Sequence, residues 1–205
     1  MKSVASKTVV ELIEKKSRFI GLLYHVENLE EINALLESAR KEYPNANHYT
    51  YAYILDDNQQ KYSDDGEPSR TAGYPILEVV KNNNVNYCLL IVIRYFGGIL
   101  LGAGGLIRAY SQTAALAMRE TFFTKKITTY TCEVTCDYDY LGNIDRIVRE
   151  QTKLLNVDYG NKIVFTLLCN ELNLEDIRNK LFNSNNYQDK LKIISEEEIW
   201  TKTNH

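Results

Sequence analysis

The sequence predicts an α+β protein of two domains, and three observations point to that class. The 205 residues are enough to bury a sizeable core in one domain or in two small ones. Short strand-like runs alternate with helical patterns along the whole chain. The pattern restarts around Thr124–Thr129, which predicts a first domain over residues 1–125 and a second over 126–205.

Apolar periodicity defines the elements of the first domain. Leu29–Tyr43 has the spacing of one helical face, and Pro44 follows it. Cys88–Ile93 is a continuous apolar run, which is typical of a central strand covered on both faces. The expected elements, in chain order, are two strands over 9–26, a helix over 29–43, a strand over 48–57, a turn-rich loop over 63–75, a short helix or strand over 76–81, a strand over 88–93 and a helix over 106–121.

The strand over 48–57 alternates in polarity and places Tyr49, Tyr51 and Tyr53 on one face. A row of tyrosines can be a platform on which nucleic-acid bases stack. More often it is a half-buried strand face, and we favour that interpretation.

The second domain has its own sequence of elements. In order they are a strand over 127–136, a helix over 140–151, a hairpin of strands 153–157 and 162–169 that turns at 158–161, a helix over 172–182 and a strand over 191–194. This order of strand, helix, strand, strand, helix and strand is that of the ferredoxin-like split βαβ unit.

Composition and charge exclude several classes of protein. A chain that is 44% hydrophobic and 25% charged is neither disordered nor collagen-like. Its longest apolar run is far too short to span a membrane, and the N-terminus lacks the apolar stretch of a signal peptide. We therefore expect a soluble, cytoplasmic protein with no membrane partner. The net charge of −3 provides no global attraction to nucleic acid, so any such contact is local.

The four cysteines do not predict a metal site. They form no Cys-x-x-Cys pair and have no histidine at ligand spacing, whereas structural zinc needs four closely placed ligands. All lie in apolar, strand-like runs, so we expect small buried side chains at Cys88, Cys132, Cys136 and Cys169.

Glycine is concentrated in one part of the chain. Of the 10 glycines, seven lie between Gly66 and Gly105, and five lie within the glycine segment, Gly97–Gly105. This segment joins the buried strand to the helix predicted from Leu106. A strand, a glycine loop and a helix N-terminus bring several backbone N–H groups together, and glycine lets a ligand approach them closely.

Two arginines flank the glycine segment and call for a negative charge near it. Arg94 follows the apolar strand, and Arg108 falls in the first turn of the predicted helix, where the helix dipole disfavours a cation by about 0.3–1 kcal/mol. The charge can be internal, from the carboxylates Asp64, Asp65 and Glu67 of the acidic loop, Ser63–Pro75. It can also be an external phosphate of RNA or of a nucleotide, and the residues leave both possibilities open.

No catalytic residue can be assigned from the pattern. The glycine segment is not a Walker A loop, because no Gly-Lys-Ser/Thr follows it, and Ile107 occupies the place of the third glycine of a dinucleotide fingerprint. Asp64 and Asp65, with Glu67 nearby, could hold Mg²⁺, although such a sequence is more often a turn. Of the internal histidines only His25 and His48 could act as a base, and neither has an evident nucleophile partner. We expect no cofactor.

At these two segments the chain resembles the YigZ/IMPACT family. The hallmarks are Ser-Asp-Asp-Gly-Glu-Pro-Ser-x-Thr-Ala-Gly-x-Pro at 63–75 and Arg-Tyr-Phe-Gly-Gly-x-x-Leu-Gly-Ala-Gly-Gly-Leu-x-Arg-Ala-Tyr at 94–110, with further matches at 14–20 and 44–53. The resemblance covers essentially the whole chain. The sequence departs from the family pattern at Arg70, Leu100 and Thr50, where glycine, lysine and cysteine are usual. The missing lysine removes one cation from the glycine segment, and Arg70 partly restores it.

The resemblance implies a fold for each domain and a role in translational control. It implies an N-terminal α/β domain of the fold shared by a ribosomal-protein domain and GHMP kinases, and a C-terminal ferredoxin-like domain similar to one in elongation factor G. Eukaryotic relatives act in translational control by binding a ribosome-associated activator of an initiation-factor kinase, whereas bacterial members have no agreed activity. The oligomeric state is not predicted.

We therefore expect a non-enzymatic, translation-associated regulator that binds RNA or a ribosome-associated protein through the cleft between the two motif loops. One alternative is a Mg²⁺-dependent enzyme acting on a nucleotide or phosphorylated small molecule, and another is an interaction module that uses the C-terminal sheet. The expected ligand- or phosphate-binding residues are Arg70, Arg94, Gly97, Gly98, Gly102, Gly104, Gly105 and Arg108. The acidic loop contributes Ser63, Asp64, Asp65, Glu67 and Thr71.

Overall fold

A computed structural model describes residues 1–56, 58–183 and 191–202. The chain divides into two compact units, Met1–Lys125 with Thr201 and Lys202, and Lys126–Trp200. The elements are β1 (Lys2–Val4), β2 (Thr8–Glu14), β3 (Ser17–His25), α1 (Leu29–Glu42), β4 (His48–Ile54), β5 (Gln60–Ser63), α2 (Gly73–Asn82), β6 (Cys88–Tyr95), α3 (Gly102–Glu120), β7 (Phe123–Cys136), α4 (Leu141–Gln151), β8 (Lys153–Tyr159), β9 (Ile163–Asn170), α5 (Glu171–Asn183) and β10 (Leu191–Lys202).

The first unit is built on an antiparallel sheet with strand order β2-β3-β6-β4-β5. Helices cover both faces, α1 on one side and α2 with α3 on the other. The central strand β6 is buried from Cys88 to Arg94, as its apolar run predicts. Its alternate residues Cys88, Leu90 and Val92 pack into the core beneath α2 and α3. The next residue on that face is Arg94.

The tyrosines of β4 face α1 as a half-buried row. Tyr49 is buried, Tyr51 and Tyr53 are partly buried against the same core, and the last two rings stack 6.5 Å apart. The favoured interpretation of this row as a half-buried strand face is therefore confirmed. The opposite side of β4 presents Thr50 and Ala52 to the core beneath α2 and α3.

Helix α3 begins at Gly102, four residues before the predicted start. Gly102, Gly104 and Gly105 therefore lie in the first turn of the helix rather than in a loop ahead of it. The segment predicted as a helix or strand over 76–81 is helix α2, which begins inside the acidic loop at Gly73. Strands β1 and β5 were not predicted, and β1 pairs with residues 123–125 of β7 in the first unit.

The second unit contains the predicted succession of strand, helix, strand, strand, helix and strand. The order of its strands is β10-β7-β9-β8, and both pairings of β9 are antiparallel. Every second residue of β9 is buried, beginning at Ile163, and packs with residues of α4 and α5. Strand β10 extends to Lys202, well beyond the predicted end at 194.

All four cysteines are buried, as predicted, and all four are free. Cys88 lies in the core of the first unit, and Cys132, Cys136 and Cys169 lie in that of the second. Among the described residues, no helix combines the length and the apolar composition needed to cross a membrane.

Candidate functional site

The acidic loop folds back on itself through Asp64. Its carboxylate accepts hydrogen bonds from the backbone N–H groups of Arg70, Ala72 and Gly73, at 2.8, 3.1 and 2.9 Å. Ala72 offers no side-chain cap to α2, so Asp64 satisfies the exposed donors at the start of that helix. Asp64 is therefore engaged by the backbone of its own loop.

Asp65 connects the acidic loop to strand β4. One carboxylate oxygen accepts from the Tyr49 N–H at 2.6 Å, and the other accepts from Arg40 at 3.3 Å. The Asp65 carbonyl oxygen lies 2.8 Å from Nδ1 of His48. Because a carbonyl oxygen can only accept, Nδ1 carries the proton and is the donor of this hydrogen bond. The other ring nitrogen, Nε2, then faces Glu67 at 3.8 Å.

Glu67 is the centre of a buried polar cluster. Its Oε1 accepts hydrogen bonds from Nη1 of Arg94 at 2.6 Å and from the Tyr110 hydroxyl at 2.7 Å. The three residues are at most 8% exposed. Burial, and then the adjacent Glu67 carboxylate, raise the pKa of Tyr110 far above its ordinary value, so its hydroxyl remains a donor.

The register of the sheet explains why Arg94 is available to Glu67. Phe19 of β3 and His48 of β4 pair directly with Arg94, so the three side chains form one row beneath α3. The guanidinium carbon lies 5.5 Å from the Phe19 ring centre and 5.4 Å from that of Phe96. Nε of Arg94 is buried and makes no hydrogen bond within the described chain.

The proposed internal pairing of charges is present only in part. Glu67 pairs with Arg94, whereas neither Asp64 nor Asp65 contacts Arg94 or Arg108. Arg108 is exposed and forms no ion pair with any described residue. It is the seventh residue of α3, so it lies in the second turn rather than the predicted first turn. The argument from the helix dipole therefore does not apply to Arg108.

The glycines of the segment form two groups, one packed closely against neighbouring atoms and one with open space around it. A Cβ on Gly97 would clash with the carbonyl carbon of Lys16, so the loop rests directly on the turn between β2 and β3. The Gly97 N–H also donates to Oγ of Ser17 at 3.1 Å. Gly105 is packed against Leu101. Around Gly98, Gly102 and Gly104, by contrast, a Cβ would meet no atom within 4 Å.

A cleft of about 240 Å³ separates the β2–β3 turn from α3. Lys15 and Glu14 line it on one side, and Arg108 lines it on the other together with Leu101, Gly105, Ala109 and Gln112. Lys15 and the adjacent Lys16 form no ion pair within the described residues, and both have positive φ angles, 44° and 64°. This concentration of cations depends on the hairpin turn, which the sequence argument did not include.

The remaining predicted residues lie apart from this cleft. Arg70 stacks on Tyr74, 4.2 Å from the ring centre, and lines a separate groove with Ile107. Ser63 accepts from the Asp65 N–H, and Thr71 donates to the Pro68 carbonyl, so both stabilise the acidic loop. The predicted binding residues are thus distributed over two clefts and one buried cluster.

The carboxylates of the acidic loop do not converge on one point. Asp64 faces the start of α2, Asp65 faces β4, and Glu67 faces Arg94. In the part of the chain that the structure describes, no three His, Cys, Asp or Glu side chains are grouped as metal ligands. Tyr110 is the residue of the cluster that is absent from the candidate site residues predicted from the sequence. Its signal was a hydroxyl on an apolar helix face, since a buried tyrosine hydroxyl requires a partner.

Comparison with known proteins identifies the relationships of the chain. Residues 15–118 match the family model of the Impact N-terminal domain. The IMPACT family member YigZ of Escherichia coli (strain K12) is 42% identical over 162 residues, which are 76% of this chain and 78% of that protein. The IMPACT family member YvyE of Bacillus subtilis (strain 168) is 37% identical over 164 residues, 78% of this chain and 76% of that one.

A solved structure, described as the crystal structure of a hypothetical protein, is 32% identical to this chain. It superposes with a TM-score of 0.59 and covers 95% of this chain and 96% of its own. The residues that match the family model include both the acidic loop and the glycine segment. On this evidence the chain belongs to the IMPACT family.

Proposed function

We propose that this protein is a non-enzymatic, cytoplasmic regulator associated with translation, and that it acts by binding RNA or a ribosome-associated partner. Membership of the IMPACT family, whose eukaryotic relatives act in translational control, supports the association with translation. The contact is made by the glycine-segment surface, which we define as Lys15, Lys16, Phe96, Gly98, Ile99, Leu100, Gly102, Gly104 and Arg108.

The observation that carries the proposal is the separation of two sets of charges. Glu67 and Arg94 are paired and buried, so they hold the two loops together and are not free to bind a partner. Lys15, Lys16 and Arg108 remain without ion pairs among the described side chains, next to the open glycines. The cations that are accessible to a partner therefore surround the cleft beside α3.

Gly104 supports an external contact at the same place. It lies inside a helix and has no positive φ, and a Cβ there would meet nothing within 4 Å. Glycine within a helix costs about 0.5–1 kcal/mol relative to alanine, and nothing in the described chain requires its small size. Close approach of a partner to the helix backbone would explain why glycine is present at this position.

The enzymatic alternative gains no support from the site. A Mg²⁺-dependent reaction on a nucleotide would need carboxylate oxygens that face a common space. Asp64 and Asp65 instead accept hydrogen bonds from backbone N–H groups of different elements. Among the described residues, no contact favours the C-terminal sheet as the docking surface.

We extend the proposal to the fold of each unit. The first would be the α/β fold shared by a ribosomal-protein domain and GHMP kinases, and the second a ferredoxin-like domain similar to one in elongation factor G. The succession of elements and the order β10-β7-β9-β8 support the second assignment.

Cosedimentation with ribosomes at physiological salt tests the proposed function. We expect the full chain to sediment with ribosomes, and we expect Arg108→Glu and Lys15→Glu each to weaken this about tenfold, because each reverses an accessible charge. Arg119→Glu is the matched control, since Arg119 is an exposed arginine at the opposite end of α3. Absence of the wild-type protein from the ribosomal pellet, or equal effects of all three substitutions, would contradict the proposal.

A further inference from the structure

We propose that the glycine-segment surface docks a protein segment that combines carboxylates with large apolar side chains. This inference rests on the proposed function and specifies the class of partner at the same surface. It follows from the side chains that the surface exposes, from the conformation of its lysines and from the surroundings of its one aromatic ring.

Three apolar side chains project from the loop that precedes α3. Leu100 is 83% exposed, and Phe96 and Ile99 are 43% and 41% exposed. The loop is anchored from below, because Gly97 is in contact with the Lys16 backbone and Asn47 accepts the Phe96 N–H at 2.8 Å. An anchored loop that presents neighbouring apolar side chains to solvent is typical of a protein-interaction site.

Cations border these apolar side chains. Lys15 and Arg108 face each other across the cleft, and Lys16 lies beside Gly97. Glu14 is the one carboxylate among the residues that line the cleft. The cleft is lined by two cations and one carboxylate, and Lys16 adds a third cation beside it, so the surface is positive although the whole chain carries −3. The complementary segment is therefore acidic.

The backbone conformation of Lys15 and Lys16 also indicates that their positive charges have a function. Lys15 and Lys16 form the two-residue turn between β2 and β3, and both are in the left-handed region. Asn-Gly or Asp-Gly is preferred in such turns, because these residues tolerate positive φ more easily. The turn instead holds two ammonium groups at its tip, and strained residues of this kind are often retained for function.

The same surroundings favour a protein over RNA. Surfaces that bind single-stranded RNA use aromatic rings as stacking platforms together with a groove of cations along the backbone. Here the one aromatic ring, Phe96, has the Arg94 guanidinium carbon 5.4 Å from its centre. Its neighbours Ile99 and Leu100 are aliphatic and cannot stack on bases. Carboxylates with leucine-like side chains satisfy both the cations and the aliphatic groups.

Site-specific photo-crosslinking in cells tests the inference. The full-length protein carries p-benzoylphenylalanine at the position of Leu100 and, as a matched control, at that of Leu172, an exposed leucine of α5 that is 78% accessible. Mass spectrometry then identifies the crosslinked material. We expect peptides rich in Asp or Glu and in apolar residues from the Leu100 position, in yields about tenfold above those from the control.

Charge reversal provides the second arm. Arg108→Glu combined with Lys15→Glu should lower the crosslinking yield about tenfold, whereas Arg119→Glu should leave it unchanged. Crosslinks to RNA, to lipid or to segments without excess acidic residues, or a yield no greater than at Leu172, would overturn the inference.

The two proposals can fail separately. If ribosomal cosedimentation persists while the crosslinks are to RNA, the proposed function stands and the partner class is wrong. If acidic, apolar segments are crosslinked but belong to proteins unconnected with ribosomes, and cosedimentation fails, the partner class stands and the proposed function is wrong.

Discussion

Glu67→Gln removes the negative charge at the centre of the buried cluster while preserving the shape of the side chain. Arg94 would then remain as a buried cation, because it is 5% exposed and its Nη1 bond to Glu67 is its ion pair. Removing one partner of a buried pair typically costs about 3–5 kcal/mol. That is a large part of the about 5–15 kcal/mol that stabilises a typical domain.

The double variant Glu67→Gln/Arg94→Met tests the physical cause. It removes both charges and places a flexible apolar side chain between Phe19 and Phe96. Replacing a buried ion pair by apolar groups is often neutral or even stabilising by about 1–4 kcal/mol. We therefore expect the double variant to be more stable than Glu67→Gln alone.

Glu42→Gln is the matched control. It breaks the Lys7–Glu42 pair of 3.1 Å in the same unit, but those side chains are 40% and 44% exposed. Exposed pairs contribute about 0–1 kcal/mol, so this change should be small.

Urea unfolding followed by far-ultraviolet circular dichroism measures the three variants. Trp200 is the one tryptophan and belongs to the second unit, so its fluorescence reports separately on that unit. A loss below about 1 kcal/mol in Glu67→Gln, similar to that of an exposed pair, would refute the reasoning. A double variant less stable than the single one would refute it as well.

Two further predictions concern a pair of glycines and a buried thiol. Gly104→Ala should raise the free energy of unfolding by about 0.5–1 kcal/mol. Gly97→Ala should lower it, because the added Cβ would clash with the Lys16 backbone. Equal shifts of the two variants in thermal unfolding would contradict this. Burial raises the pKa of the Cys88 thiol from 9.0 to about 12. The unfolded state therefore loses that proton first, and stability should fall as pH rises from about 9 towards 12. Cys88→Ala should show a shallower fall in urea unfolding, and parallel curves for the two proteins would show that Cys88 is not responsible.

The sequence predicts those elements whose own residues carry the signal. Strand β6 is apolar from Cys88 to Ile93, and the buried residues of α3 recur with helical spacing. Strand β1 has three residues and a partner 121 positions away, and β5 consists of Gln60, Lys61, Tyr62 and Ser63 without alternation. Both exist because a neighbouring strand supplies hydrogen bonds, which no local pattern reveals.

The start of α3 was missed for a related reason. Three glycines disfavour a helix by intrinsic propensity, so the pattern placed the first turn after them. Packing outweighs this cost, because Gly105 is in contact with Leu101 and the following buried face fixes the helix on the sheet. The error moved Arg108 by one turn and changed its expected role.

The sequence predicted which residues belong to the candidate site but not which of them are in contact. The residues indicated a need for negative charge near Arg94 and Arg108, but any of the three carboxylates of the acidic loop, or an external phosphate, could have supplied it. The choice of Glu67 depends on the register of β3, β4 and β6, which sets Phe19, His48 and Arg94 in one row. The lysines of the β2–β3 turn became candidate site residues only in the folded structure, where Gly97 lies against Lys16.

The pairing of Lys2–Val4 with residues 123–125 has a consequence for how the first unit can be handled. Its two ends emerge side by side, since the Ala5 N–H also donates to the Phe122 carbonyl at 2.8 Å. Domains with adjacent ends tolerate circular permutation and insertion into a host chain. The continuous segment Met1–Lys125 can therefore be treated as a transferable cassette, whose two points of attachment to a host polypeptide lie beside each other.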